Sequence, residues 1–444
     1  GTGNFNQDIG AWDVSSVTNM DNMFGGHSST YANAFNNGGS PSISGWDTSN
    51  VTNMSMMFRQ ARGFNQPIGY WNTSKVTNMD RMIHHCTGFN QDLGNWDVTG
   101  VTSFREFFAS NSVFNNNGST GINNWRPSSC TRMDGMFYNA RSFNQPIGDW
   151  DVSSCTDMNN MFYLAYTAGG TGNFNQDIGA WDVSSVTNMD NMFGGHSSTY
   201  ANAFNNGGSP SISGWDTSNV TNMSMMFRQA RGFNQPIGYW NTSKVTNMDR
   251  MIHHCTGFNQ DLGNWDVTGV TSFREFFASN SVFNNNGSTG INNWRPSSCT
   301  RMDGMFYNAR SFNQPIGDWD VSSCTDMNNM FYLAYTAGGT GNFNQDIGAW
   351  DVSSVTTMSN MFGAHSSSYQ NSFNNGGSSS ISGWNTSSLT NISYMFGQND
   401  SFDQPLTNWI VTGITNANNF MQAADGLSTC NYDRTLSGWH SQAV

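Results

Sequence analysis

The chain has 444 residues, 11% of them charged and 14% aromatic, with a formal net charge of −13. So many aromatics exclude a disordered chain, and the acidity excludes a nucleic-acid partner, because phosphates demand a basic face. No apolar run approaches the ~18 residues of a membrane span, and few Glu and Lys beside abundant Asn, Gly, Ser and Thr disfavour long helices.

From the start of the chain, Phe5 to Phe24 reads FNQDIGAWDVSSVTNMDNMF, and the same twenty residues return at Phe174 and, with small changes, at Phe343. The long period is 169 residues: 1–169 and 170–338 are identical, and a partial third copy, 339–428, diverges. A short period lies inside it. Tryptophans at 12, 46, 71, 96, 125, 150 and 181 are spaced 34, 25, 25, 29, 25 and 31 apart, which together make 169. Each unit reads F-N-Q-x-I-G-x-W-[DN]-[VT]-S-x-V-T-x-M-x-x-M-F, as at FNQPIGYW from Phe64. Longer spacings are insertions at two fixed points, where a coil tolerates surface loops.

A unit of about 25 residues cannot bury its own apolar side and must stack on its neighbours. The expected fold is therefore a repeat solenoid, a β-solenoid of ~25-residue coils with short parallel strands and turn or short-helix returns. Phe to Trp reads as the strand and V-T-x-M-x-x-M-F as the return, although V-T is equally strand-like. Coils about 4.8 Å apart would make the sixteen Trp-marked units a rod on the order of 75 Å long. The tail 429–444 breaks the frame and suits a C-terminal cap over the last open edge. The chain starts inside a unit at Gly1, so the array is expected to extend further toward the N-terminus.

Candidate sites follow in chain order. Tyr31 and Phe35 in one insertion, and Tyr163 and Tyr166 in the next, are candidate contact-loop residues. Asn50-Val-Thr, Asn53-Met-Ser, Asn72-Thr-Ser and Asn117-Gly-Ser are glycosylation sequons. Asp13, Asp47, Asn72, Asp97 and Asp151 follow tryptophans, where the side chain closes an Asx turn. Calcium is the sharper reading of that column, but no D-x-D-x-D-G loop occurs and Asn72 and Arg126 interrupt it. His84-His85-Cys86 lacks the spacing of a zinc site; aligned with Met57 to Ala61, Cys86 falls on the small buried position, and both histidines fall on the surface. Cys130 and Cys155, and their copies Cys299 and Cys324, replace the Val of S-S-V-T in consecutive coils. Stacked near 4.8 Å, they fall inside the disulfide window of about 4.4–6.8 Å, so each pair is either a disulfide or two stacked buried thiols. No cofactor is expected, and no catalytic constellation occurs; the only two glutamates, Glu106 and Glu275, are copies of one position.

The recurring FNQxIxxWDVSSVTxMxxMF unit resembles the 25-residue branch of the BspA-like leucine-rich-repeat surface proteins. That resemblance implies a leucine-rich-repeat-like solenoid, exported to a cell or virion surface and used for adhesion or structural display. The expected function is an extracellular fibre or appendage shaft, self-associating or meeting other surface proteins through repeated loops. The alternative is an adhesin binding glycans or proteins through those loops.

Overall fold

The computed structural model describes residues 4–26, 33–165, 170–334, 339–366 and 368–442. The chain divides into two compact units, Gly1–Val220 with Met226–Gln235, and Thr221–Met225 with Pro236–Val444. Each is a stack of coils built on the short period.

Parallel pairing is carried by the residue after each V-T. In the first unit single bridges run from Asn19 through Asn53, Asn78, Ser103, Arg132 and Asp157 to Asn188. In the second they run from Asn222 through Asn247, Ser272, Arg301, Asp326, Thr357 and Asn391 to Asn416. This corrects the expected strand in two ways. The paired segment is V-T-x rather than Phe to Trp, and among the described residues no strand outgrows a single bridge, so the structure gives no support to a β-solenoid with continuous strands. The reason is local: a turn closes just before the segment (Val76 N–H to Thr73 O, 2.9 Å). Just after it, Arg81 turns left-handed at φ 53°, where extended pairing cannot continue.

The M-x-x-M-F segment is not a helical turn either. Its N–H groups alternate between partners. Met56, Phe58 and Gln60 donate to Asp80, Met82 and His84 of the next coil at 2.8–3.0 Å. Met57, Arg59 and Ala61 donate three residues back, at 2.9–3.3 Å. Every backbone donor here is satisfied by a tight turn or by the neighbouring coil, as burial demands.

The F-N-Q side is held by asparagine side chains. Asn36 Oδ1 accepts from Asn65 N–H (3.0 Å), Asn65 from Asn90 (2.9 Å), Asn90 from Asn115 (2.8 Å) and Asn115 from Asn144 (2.9 Å). Where a Gln follows, after Asn65, Asn90 and Asn144, it reinforces the step; Gln66 Nε2 reaches Asn36 Oδ1 at 2.8 Å. The indoles of stacked coils donate to the Ile or Leu carbonyl of the preceding coil, as Trp71 does to Ile43 (2.8 Å) and Trp150 to Ile122 (2.8 Å). Threonines of V-T form an outer ladder, with Thr77 giving both N–H and Oγ1 to Thr52 O (2.8 and 3.2 Å). The glycine after the Ile is dictated by close approach: a Cβ at Gly69 would lie 2.2 Å from Asp92 O.

Between these sides lies the core. Trp125 stacks on Trp150 with centroids 5.7 Å apart, and Phe58 lies face to face with Phe64 at 3.8 Å. Such side chains, at 2% exposure or less in most coils, contribute about 1.5–3 kcal/mol each by transfer. Longer coils absorb their insertions in 3₁₀ turns, Asn37–Gly39 with Pro41–Gly45 and Asn116–Gly118 with Thr120–Asn124. Within those turns Asn37 Oδ1 still accepts Ile9 N–H at 2.8 Å, and Asn116 accepts Leu93 N–H at 2.8 Å.

The second unit ends in the one α-helix among the described residues, α1, Thr429–His440. Its residues reproduce what a further coil supplies elsewhere. Trp439 Nε1 donates to Leu406 O (2.9 Å), and Thr435 Oγ1 accepts Leu406 N–H (2.9 Å). The asparagine ladder finishes at Asp403, whose carboxylate accepts Ser428 N–H (2.8 Å), Ser428 Oγ (2.7 Å) and Asn431 Nδ2 (2.9 Å). Ser428 is itself the N-cap of α1.

Candidate functional site

The turn after each M-x carries a left-handed residue, and most coils place Asn or Gly there: Asn22, Gly135, Asn160 and Asn191. These types tolerate positive φ, whereas a bulkier side chain costs about 1–3 kcal/mol. Three consecutive coils depart from the rule with Met56 (φ 52°), Arg81 (φ 53°) and Glu106 (φ 49°), and at the next such position with Gln60 (φ 65°), His85 and Ser110 (both φ 58°).

Because Arg81 and Glu106 share one frame position in adjacent coils, stacking brings them together. Arg81 grips Glu106 with both nitrogens, Nε to Oε2 at 3.0 Å and Nη2 to Oε1 at 2.8 Å. His84 Nε2 lies 3.5 Å from Glu106 Oε2 and 3.4 Å from His85 Nδ1. One coil further, Arg132 forks onto Asp134 at 3.0 and 3.1 Å, and Arg105 Nε approaches the same carboxylate at 3.3 Å. Tyr138 and Tyr163 stand beside the cluster with ring centroids 5.6 Å apart. Together they line a cleft of about 330 Å³ with Asn159 and Asn160, at the small end of the roughly 300–1,000 Å³ usual for ligand clefts. The second unit holds the same arrangement: Arg250 grips Glu275 at 2.9 and 2.8 Å, His253 lies 3.5 Å from Glu275, and Arg301 forks onto Asp303. That cleft, with Tyr307, measures about 480 Å³.

Electrostatics follow from burial. Burial, then the neighbouring His85, drives the His84 pKa well below that of free histidine, so the ring is neutral at physiological pH. Burial also lowers His85, helped by Arg62 and Arg59. At Glu106 burial opposes ionisation, but the Arg81 fork outweighs it and holds the carboxyl below its ordinary value. Asp134 is raised, chiefly by burial. His84 Nδ1 is buried and makes no hydrogen bond among the described residues.

The residues singled out by sequence sit as follows. Cys86 is buried and donates its thiol to Phe58 O at 2.8 Å, and the two histidines beside it are partly buried rather than on the open surface. No group of three or more His, Cys, Asp or Glu that could hold a metal occurs among the described residues. Cys130, Cys155, Cys299 and Cys324 are buried free thiols, each donating to the carbonyl two residues on, at 3.1–3.5 Å. Burial raises their pKa values, that of Cys130 to about 12. Asn50, Asn72 and Asn117 are exposed, and Asn53 is half-buried at a bridge. The Asp column forms Asx turns: Asp13, Asp47, Asn72, Asp97 and Asp151 each accept the N–H two residues on, at 3.0–3.2 Å.

Tyr31 and Tyr166 lie outside the described residues. Phe35 is corrected. It is fully buried, stacked on Phe24 at 3.8 Å, because the insertion precedes it and leaves it on the F-N core column. Tyr163 is half-buried against Tyr138. Sequence reasoning missed Tyr70 and Tyr239, which are 80% and 79% exposed at the variable place before Trp. It also missed Arg81 with Glu106, whose signal was opposite charge at one frame position in successive coils.

No curated protein and no solved structure matches the chain. Six tandem segments, 1–37, 28–121, 117–209, 197–289, 286–376 and 368–444, match one family from end to end, so the chain is a tandem-repeat protein belonging to the DUF285 family, described as Mycoplasma protein of unknown function.

Proposed function

We propose that this chain is an extracellular structural repeat protein, a leucine-rich-repeat-like solenoid serving as the shaft of a fibre, filament or surface appendage. The observation that carries this reading is how completely the recurring residues are consumed by stacking. Phe, Trp and Met fill the core, Asn and Thr tie coil to coil, and Asp closes turns. Such a unit is made for length, and its outer surface recurs with every 169-residue copy. No catalysis is part of the proposal. Electron microscopy of the protein from its native source tests it. Filaments with an axial repeat on the order of 29 Å, six coils at about 4.8 Å, are expected; isolated flexible rods alone would contradict the fibre.

One observation favours a second reading, a surface adhesin. The charged and aromatic clefts at Glu106 and Glu275 recur once per copy, and repeated weak sites give avidity.

A further inference from the structure

We infer that the paired clefts at Tyr138 and Tyr307 bind a neutral saccharide, a class of ligand set by the polar groups and tyrosines that meet there. The inference rests on the adhesin reading and gives it a ligand chemistry.

Charge narrows the class first. Each carboxylate is forked by a guanidinium, Glu106 by Arg81 and Asp134 by Arg132, and the neighbouring His84 is neutral. Guanidiniums already occupied by carboxylates are poor recruits for phosphate or sulfate, and forked carboxylates are poor recruits for a free cation. What remains is a cleft dense in hydrogen-bonding groups, whose carboxylates Glu106 and Asp134 are matched by Arg81 and Arg132 with Arg105 also engaged at Asp134 (3.3 Å). Forked carboxylates keep lone pairs free, since each oxygen accepts more than one bond. The Asn159 and Asn160 amides line the same wall. Planar groups of this kind match the vicinal hydroxyls of a pyranose. The tyrosines supply the other half: Tyr138 and Tyr163 put amphipathic rings beside those polar groups, and a sugar offers a C–H face to an aromatic ring.

The experiment uses the full 444-residue chain on immobilised neutral oligosaccharides (N-acetylglucosamine oligomers, β-galactosides and mannose oligomers), with titration calorimetry on the strongest binder. The variants are Tyr138→Ala with Tyr307→Ala, and Tyr138→Phe with Tyr307→Phe. Binding by the parent chain is expected, weakened roughly tenfold or more in the alanine variant and retained in the phenylalanine variant, where the ring survives. Retention by the phenylalanine pair guards against loss through misfolding. No binding to any oligosaccharide overturns the inference, as does binding that the alanine pair leaves unchanged. Adherence to host cells measured on the same variants separates the two levels. Adherence that is lost with the alanine pair while no oligosaccharide binds overturns the saccharide and leaves the adhesin standing.

Discussion

Residues 5–24 and 174–193 have one sequence and two environments. In the first copy Phe5, Trp12 and Met23 are 46%, 50% and 38% exposed; in the second Phe174, Trp181 and Met192 are 4%, 2% and 0% exposed. Within these 444 residues the difference is a neighbour. Trp181 donates its indole to Ile147 O at 2.9 Å and stacks on Trp150, while Phe174 packs on Phe143 and Phe162. Burial here belongs to the interface between coils, not to the coil, as one-dimensional repeat energetics requires. The far end of the second unit shows the alternative. There α1 supplies Trp439, Thr435 and the Ser428 cap to the last coil without being a coil itself.

Substitutions can break this comparison, beginning with the largest effect. Trp181→Ala is expected to cost about 3–5 kcal/mol, as deletion of a buried Trp does, whereas Trp12→Ala is expected to cost about 1 kcal/mol or less. Denaturant midpoints of the two variants read the gap. Next comes the helical end. Asp403→Ala removes the acceptor of three hydrogen bonds from Ser428 and Asn431 and is expected to cost about 1–3 kcal/mol. That loss should be confined to the end, seen as fast amide exchange in 429–440 while coils further back stay protected.

The smallest effect sharpens the comparison by marking what does not need a neighbour. Asp13, in the exposed first coil, and Asp47 and Asp351, in stacked coils, are all held below the ordinary 3.8 by the hydroxyl and N–H of the serine two residues on. A carboxyl lowered on folding contributes stability that is present above its unfolded value and lost as pH falls through its folded value. Stability is therefore expected to decline below about pH 4, in the first coil as in the others. Asp47→Asn keeps the turn, as Asn72 does natively, and should flatten part of that decline in an acid titration followed by circular dichroism.

Legibility in the sequence followed range. The Asx turns are contained within three residues, so Asp13 and its copies could be read directly. Periodicity exposed the core columns of Trp, Phe and Met because each recurs at one frame position. The role of the F-N asparagine was hidden although its recurrence was plain, since its acceptor bond crosses to the next coil. The pairing segment was misplaced for a related reason. V-T-x has only one bridged residue between two turns, too little to outweigh the longer Phe-to-Trp stretch as a strand signal. At Phe35 the insertion beside it hides its place on the column in the sequence. The cleft needed register as well: Arg81 and Glu106 are 25 residues apart, and only stacking makes that a contact distance.

Indole N–H exchange at Trp12 and Trp181 of the 444-residue chain tests the central claim most directly, measured by NMR on one sample with the two resonances assigned by Trp12→Phe and Trp181→Phe. Identical local sequences remove every intrinsic difference between them. Fast exchange at Trp12 and strong protection at Trp181 is the result expected if the neighbouring coil confers burial. Equal protection at both positions would contradict it.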